Sequence, residues 1–217
     1  MTQTEWVQRV IKPVIFLMCL IPLALLVWDA LNNHLGANPI EKVTRRTGDW
    51  TLRFLLITLA ITPARRLSGW NGLMRLRRML GLFAFFYACL HFIIYIGIDQ
   101  SLDMTEIIKD VIKHKYVTVG FASFLLLIPL AATSTNAMMK RLGGRRWQQL
   151  HKSVYAIAIG GVIHYLWLVK ADLREPLIYA AILAVLLGYR LWVKQRQALP
   201  PNAVRSSIHP SAIRPTK

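Results

Sequence analysis

The sequence predicts an all-α, polytopic membrane protein: a six-helix transmembrane bundle with both termini in the cytoplasm. Three observations carry this. The 217 residues are 55% hydrophobic, yet the formal net charge is +17. Those charges lie mainly between long apolar runs, where a soluble basic protein would scatter them. The basic residues also favour alternate connections: residues 1–12, 63–78, 134–152 and 190–217 hold 18 of the 27 Lys and Arg. The positive-inside rule puts those four segments in the cytoplasm. Connections 32–48, 99–115 and 169–175 then lie outside, and they carry Asp99, Asp103, Glu106, Asp110, Asp172 and Glu175. Nucleic-acid binding is the other usual reading of such a charge. It is disfavoured, because the apolar runs leave no soluble domain of useful size.

The six expected spans are residues 12–31, 49–64, 79–98, 116–133, 150–168 and 176–193. Each approaches the length that crosses a hydrocarbon core of roughly 30 Å. The first has no small-residue cleavage site and reads as a retained span, not a signal peptide. In the first outer connection, "NPIE" (Asn38 to Glu41) places Asn at the N-cap, Pro at the first helical position and Glu at the third. That pattern starts a helix, here expected to be short and to stop before Gly48. The second span is short and expected to end at Pro63; Pro129 is expected to kink or end the fourth. In connection 99–115, Leu102, Ile107, Ile108, Val111 and Ile112 share a face, which predicts a helix on the outer interface. Short connections make consecutive helices antiparallel neighbours. Cys19 and Cys89 sit in different apolar segments without a paired spacing, so neither a disulfide nor a cysteine metal site is expected. The proline-bearing segment 194–217 reads as a disordered cytoplasmic tail, too short for a nucleotide-binding domain. Any flavin or nicotinamide module is therefore expected on a separate protein.

Three of the six histidines, His91, His151 and His164, lie in apolar helices, where an ionisable side chain is rarely left unpaired. At 1.5 Å per residue, His91 is roughly 20 Å above the inner boundary at Arg78, and His164 roughly 20 Å above His151. The third and fifth spans run in the same direction, so His91 and His164 share a depth in the outer half of the membrane. His151 lies near the inner face. A planar iron macrocycle needs two axial nitrogens from opposite sides, and two histidines of matched depth on separate helices supply them. Zinc usually takes three or four clustered ligands, and no carboxylate or cysteine lies at this level. A backbone-bonded core imidazole is the plain alternative for any single histidine. The thirteen-residue step from His151 to His164 is about 220° of helical rotation. Either the two serve different sites, or the helix is distorted near Gly160 and Gly161. His34, His114 and His209 fall in connections or the tail and receive no role.

Arg53 is the other conspicuous intramembrane residue. It either pairs with an anion such as a haem propionate or snorkels to the outer interface beside Trp50. On the inner side Arg77, Arg78, Arg145 and Arg146 surround His151. The positive-inside rule accounts for most of this charge; a cradle for propionates, a flavin phosphate or an acidic donor protein is the functional reading.

The segments "GANPI", "TGDWTLRFLLITLAITP", "RRMLGLFAFFYACLHF", "TSTNAMMKRLGGRRWQQLHKSVY", "IHYLWLVK" and "PLIYA" resemble the MsrQ (YedZ) family. Those proteins are haem-binding membrane subunits of bacterial MsrPQ methionine sulfoxide reductase systems. More distantly, the chain resembles ferric reductase-like transmembrane domains, here spanning 1–193. The resemblance implies b-type haem, one or two copies, with FMN as a further cofactor. It implies an inner-membrane electron relay from quinol or a flavin reductase to a periplasmic, molybdenum-cofactor subunit that repairs oxidised methionines in periplasmic proteins. It maps haem-ligand histidines onto His91, His151 and His164. The broader pattern has two histidines on each of two helices, but the position fourteen before His91 is Arg77. One outer bis-histidine haem is thus the firmer expectation, and a second inner haem or a flavin stays open. The rivals are a stand-alone metalloreductase or oxidase-type cytochrome b, and a transporter with the histidines as a proton path.

Overall fold

The computed structural model describes residues 3–169 and 171–198. The described chain is all-helical. A short helix α1 (Gln3–Trp6) and a π-helical turn lead into α2 (Lys12–Leu31). Then come α3 (Pro39–Ser68), α4 (Met74–Ile94), α5 (Met104–Lys113), α6 (Lys115–Ala132), α7 (Asn136–Leu142), α8 (Gly144–His151), α9 (Val154–Leu168) and α10 (Arg174–Ala198). The principal pairings are α3 with α4 and α6 with α9; α4 also packs on α6, and α3 on α9. These four helices form the inner bundle. α2 lies against α3 and α4, and α10 against α3 and α9. Exposed apolar side chains such as Leu17, Trp28, Ile178 and Val185 mark the outer faces of the two flanking helices.

Four helical segments are long and apolar enough to cross a membrane: Val7–Leu31, Asn71–Asp99, Lys115–Ala132 and Arg174–Gln197. The chain is a multi-pass membrane protein. The other two expected spans, α3 and α9, do not reach that standard alone. α9 has 15 residues, about 22 Å of rise. The apolar stretch of α3 is diluted by Asp49, Arg53 and a series of threonines. Both belong to the inner bundle, where neighbouring helices stand in for lipid.

Several boundaries differ from expectation. Asn38 does cap α3, accepting from the Glu41 N–H at 3.3 Å. But the helix does not stop before Gly48 or at Pro63; it runs unbroken to Ser68 and closes at Gly69 in the left-handed region (φ 70°). α10 continues to Ala198, past the expected end of its span, and residues 199–217 of the expected tail lie outside the described residues. The interruption between His151 and His164 falls at Lys152 and Ser153, between α8 and α9, not at the Gly160–Gly161 pair. Pro129 sits inside α6, which ends three residues later at Ala132. Cys19 and Cys89 are both free.

α2 is fastened to α4 through a hydroxyl. Tyr87 Oη donates to the Cys19 carbonyl (2.9 Å) and accepts from the Leu23 N–H (3.1 Å). Cys19 and Leu23 would normally bond each other one turn apart. Beside Pro22, the tyrosine is inserted in that rung, a known cause of helix bending. The ring then continues a stack with Phe54, Phe83 and Trp50 in the core.

Candidate functional site: an opposed histidine pair in an interhelical cavity

His91, near the end of α4, and His164, near the end of α9, face each other with ring centroids 6.2 Å apart. Both line one cavity of about 330 Å³. Its deep walls are apolar: Leu52 and Leu55 of α3, Leu127 of α6, Ile157 of α9, and the stacked rings of Phe92 and Phe124, 4.5 Å apart. Its other lining is polar, with Arg45, Asp49, Tyr95, Asp99, Asp110 and Tyr116.

The two rings are held by the same local device. His91 Nδ1 lies 2.9 Å from the Thr44 carbonyl, and His164 Nδ1 lies 2.7 Å from the Tyr116 carbonyl. A carbonyl only accepts, so each Nδ1 carries the proton. Each Nε2 is then left with its lone pair. One turn after each acceptor carbonyl stands a glycine. A Cβ on Gly48 would come within 3.1 Å of the His91 ring, and one on Gly120 within 2.6 Å of His164 Nδ1. Each missing side chain is the notch that lets an imidazole lie against the facing helix and reach the carbonyl one turn back. Gly160 serves the α6–α9 contact itself, since its Cβ would meet Ser123 Oγ at 2.3 Å.

The separation of the pair is compatible with two imidazoles held on one metal ion. A metal–imidazole bond is about 2 Å and the ring centre lies about 1 Å behind the nitrogen, so trans imidazoles have centroids about 6 Å apart. The observed separation is 6.2 Å, with ring planes at 81°, a twist that rotation about the metal–nitrogen bonds permits. A metal-bound histidine usually donates its other N–H to a carbonyl or carboxylate, as both do here. Among the described residues, no group of three or more His, Cys, Asp or Glu gathers as a metal cluster, which a tetrahedral zinc site would need.

The remaining predicted residues lie elsewhere. Arg53 does not line the cavity: its Nε donates to Tyr179 Oη (2.7 Å) and its guanidinium covers the Trp50 ring at 4.8 Å. His151 is also apart from the cavity. Its ring stacks on Trp147 at 3.9 Å, and its Nε2 donates at 3.1 Å to Thr133 Oγ1, whose own proton goes to the Pro129 carbonyl. Arg77 and Arg78 are the charged groups acting on His151. Arg78 Nη1 bonds Asn136 (2.6 Å), while Arg145 and Arg146 are exposed. The helix predicted in connection 99–115 is α5. Its Ile108 and Ile112 are exposed, while Asp110 turns inward, accepts from Tyr95 Oη and lies 2.6 Å from His114 Nδ1. Sequence reasoning missed Gly48, Gly120, Tyr95, Asp110 and His114. The available signals were a lone glycine in each of two helices and the four-residue spacing of Asp110 and His114.

An all-helical membrane protein with an imidazole pair opposed across an apolar interhelical cavity defines the class, and residues 47–162 match the ferric reductase like transmembrane component family. The chain is 56% identical over 191 residues to a Herminiimonas arsenicoxydans protein, covering 87% of this chain and 88% of that one. It is 53% identical to a Ralstonia nicotianae protein (85% and 86% covered) and 50% identical to one from Azospira oryzae (94% and 87%). All three are named protein-methionine-sulfoxide reductase heme-binding subunit MsrQ. The chain belongs to the MsrQ family.

Proposed function

We propose that this chain is the haem-binding membrane subunit of a bacterial protein-methionine-sulfoxide reductase, carrying electrons across the inner membrane. It crosses six times with both termini cytoplasmic. The observation that carries the reading is the opposed pair His91 and His164, each with Nδ1 bonded to a carbonyl and the two rings 6.2 Å apart. Their Nε2 atoms would hold a b-type haem, which would supply one-electron iron chemistry within the bundle. Phe92, Phe124 and the leucine wall keep water from that position, and the carbonyls of Thr44 and Tyr116 fix the orientation of the ligands. No nucleophile or acid–base pair is required, because the protein relays electrons and leaves substrate chemistry to its partner. That partner is a periplasmic, molybdenum-cofactor subunit at the outer mouth. Electrons arrive at the inner face from quinol or a flavin reductase. His151, Arg78, Arg145 and Arg146 present the basic surface there for a reduced flavin, FMN included. Arg53, bonded to Tyr179, holds α3 to α10 near the outer interface.

The test is an optical spectrum and a haem assay on purified protein. Wild type should show a dithionite-reducible b-type spectrum. His91→Ala and His164→Ala should each lose that haem, while His151→Ala should keep it. Full haem content in both of the first two variants would sink the assignment.

A further inference from the structure

α5 has no buried residue, yet one side of it faces the bundle. Its half-buried positions are Ile107, Asp110 and Val111, followed by His114 at the junction with α6. Steps of three and four put them on one helix face. A charged residue on an inward face needs partners, and both Asp110 oxygens have one. Oδ2 accepts from Tyr95 Oη, and Oδ1 accepts from His114 Nδ1 at 2.6 Å. A carboxylate only accepts, so both partners donate.

Each partner leads to one of the two cavity histidines. Tyr95 stands one turn beyond His91, and its N–H bonds the His91 carbonyl. His114 is where α5 ends and α6 begins, in extended backbone (φ −107°, ψ 104°). Two residues later, the Tyr116 carbonyl accepts from His164 Nδ1 at 2.7 Å. The Tyr116 ring lies 5.6 Å from the His114 ring and 6.1 Å from the His164 ring. Asp110, Tyr95 and Tyr116 all line the cavity that holds His91 and His164. One carboxylate thus bridges the end of the helix that carries His91 and the start of the helix that orients His164.

Two features give the bridge work to do. Tyr116 is the second residue of α6, in the turn whose N–H groups have no partner within the helix. The carbonyl under His164 is therefore placed by the α5–α6 junction. The connection from Tyr95 to α5 is also strained, since Ser101 (φ 49°) and Leu102 (φ 61°) are both left-handed. Such backbone persists only where its surroundings over-determine it. The Tyr95–Asp110 bond closes that connection across its two ends.

We propose that Asp110 is a positioning residue for the histidine pair, bridging Tyr95 and His114 so that His91 and the Tyr116 carbonyl keep a fixed relation. The proposal rests on His91 and His164 being the two ligands of one haem. The bridge is geometric: it needs an acceptor for Tyr95 and a polar partner for His114, not a charge.

The test uses haem-loaded, full-length wild type, Asp110→Ala, Asp110→Asn and Tyr95→Phe. The readout is the ferric low-spin electron paramagnetic resonance signal, whose largest g value follows the angle between the two imidazole planes. Planes at 81° put the wild type in the highly anisotropic class. Asp110→Ala should lose that single signal and spread it toward lower g values. Asp110→Asn accepts from Tyr95 and donates to His114 Nδ1, whose proton moves to Nε2; it should restore the wild-type signal. Tyr95→Phe removes one arm and should displace the signal in the same direction by less. Should Asp110→Ala not fold, Tyr95→Phe decides. An aspartate that only stabilises α5 would lower the melting temperature of Asp110→Ala and leave the signal in place. An unmoved signal in either folded variant overturns the proposal. So does Asp110→Asn behaving like Asp110→Ala, which would make the charge the operative feature. A wild type without a bis-histidine signal would defeat the ligand reading and this proposal with it. A bis-histidine wild type with unmoved variants defeats the bridge alone.

Discussion

At the scale of single residues, the histidine site depends on two absent side chains. A Cβ on Gly120 would stand 2.6 Å from His164 Nδ1, a distance that forces the ring to move; on Gly48 the contact with His91 would be 3.1 Å, which a shift of a few tenths of an ångström relieves. Gly120→Ala should therefore break the His164–Tyr116 bond and lower haem content to less than half of wild type. Gly48→Ala should retain most of the haem with a small shift of the Soret band. Haem content per chain, measured on both variants side by side, checks the order; equal retention would mean that the notches do not set the ring positions. The histidines themselves were legible in the sequence, because depth along a helix follows from residue count alone. The glycines were not, and Gly48 read as a helix stop. A glycine in an apolar helix weakens local propensity whatever its tertiary use, and only the packed partner reveals that it is a notch. The same limit applied to Arg53. Its depth was readable, but whether it faced a propionate or Tyr179 depends on the rotation of α3.

At the scale of helices, the apolar runs located the long helices, four of them long and apolar enough to cross a membrane, and the boundaries failed where proline or glycine was read as punctuation. Pro63 lies within α3, and the carbonyl it leaves free at Leu59 accepts from Arg190. Pro22 lies within α2 beside the inserted Tyr87 hydroxyl. At Pro63 a side chain from another helix satisfies the carbonyl that the proline frees, one way in which membrane helices tolerate proline; in α2 Tyr87 bonds the Cys19 carbonyl and the Leu23 N–H, next to the Met18 carbonyl that Pro22 leaves. This makes Tyr87 a joint between α2 and α4. Tyr87→Phe keeps the ring stacking but leaves the Cys19 carbonyl and the Leu23 N–H without their partner. The expected loss is about 1–3 kcal/mol, read as a lower melting temperature with haem content per folded chain unchanged. An unaltered melting temperature would show that the Cys19–Leu23 rung recloses on its own.

At the scale of the whole molecule, the arrangement is polar at both ends and apolar between. The two ends differ in kind. The mouth of the histidine cavity carries Asp49, Asp99 and Asp110 with Arg45. The opposite end carries Arg77, Arg78, Arg145, Arg146 and Arg190, with His151 among them. Positive charge is retained on the cytoplasmic side, so the orientation we propose puts the histidine pair nearer the outer surface, with its cavity opening outward. Under the proposed function that orientation sets the direction of electron flow: a periplasmic acceptor would reach the mouth, and a cytoplasmic donor the basic end. It is testable without any cofactor. In a background with Cys19 and Cys89 replaced by Ala, single cysteines are placed at two exposed positions, Ala37 in the connection before α3 and Ala137 in α7. A membrane-impermeant maleimide added to intact spheroplasts should label Ala37→Cys at once. It should label Ala137→Cys only after the membrane is broken. The reverse pattern would turn the cavity mouth toward the cytoplasm, and a periplasmic partner would then face the arginines instead of the histidine pair. Labelling of both from outside would mean that the chain crosses an odd number of times between residues 37 and 137 no longer, so that α3, the least apolar of the expected spans, is the helix that fails to cross.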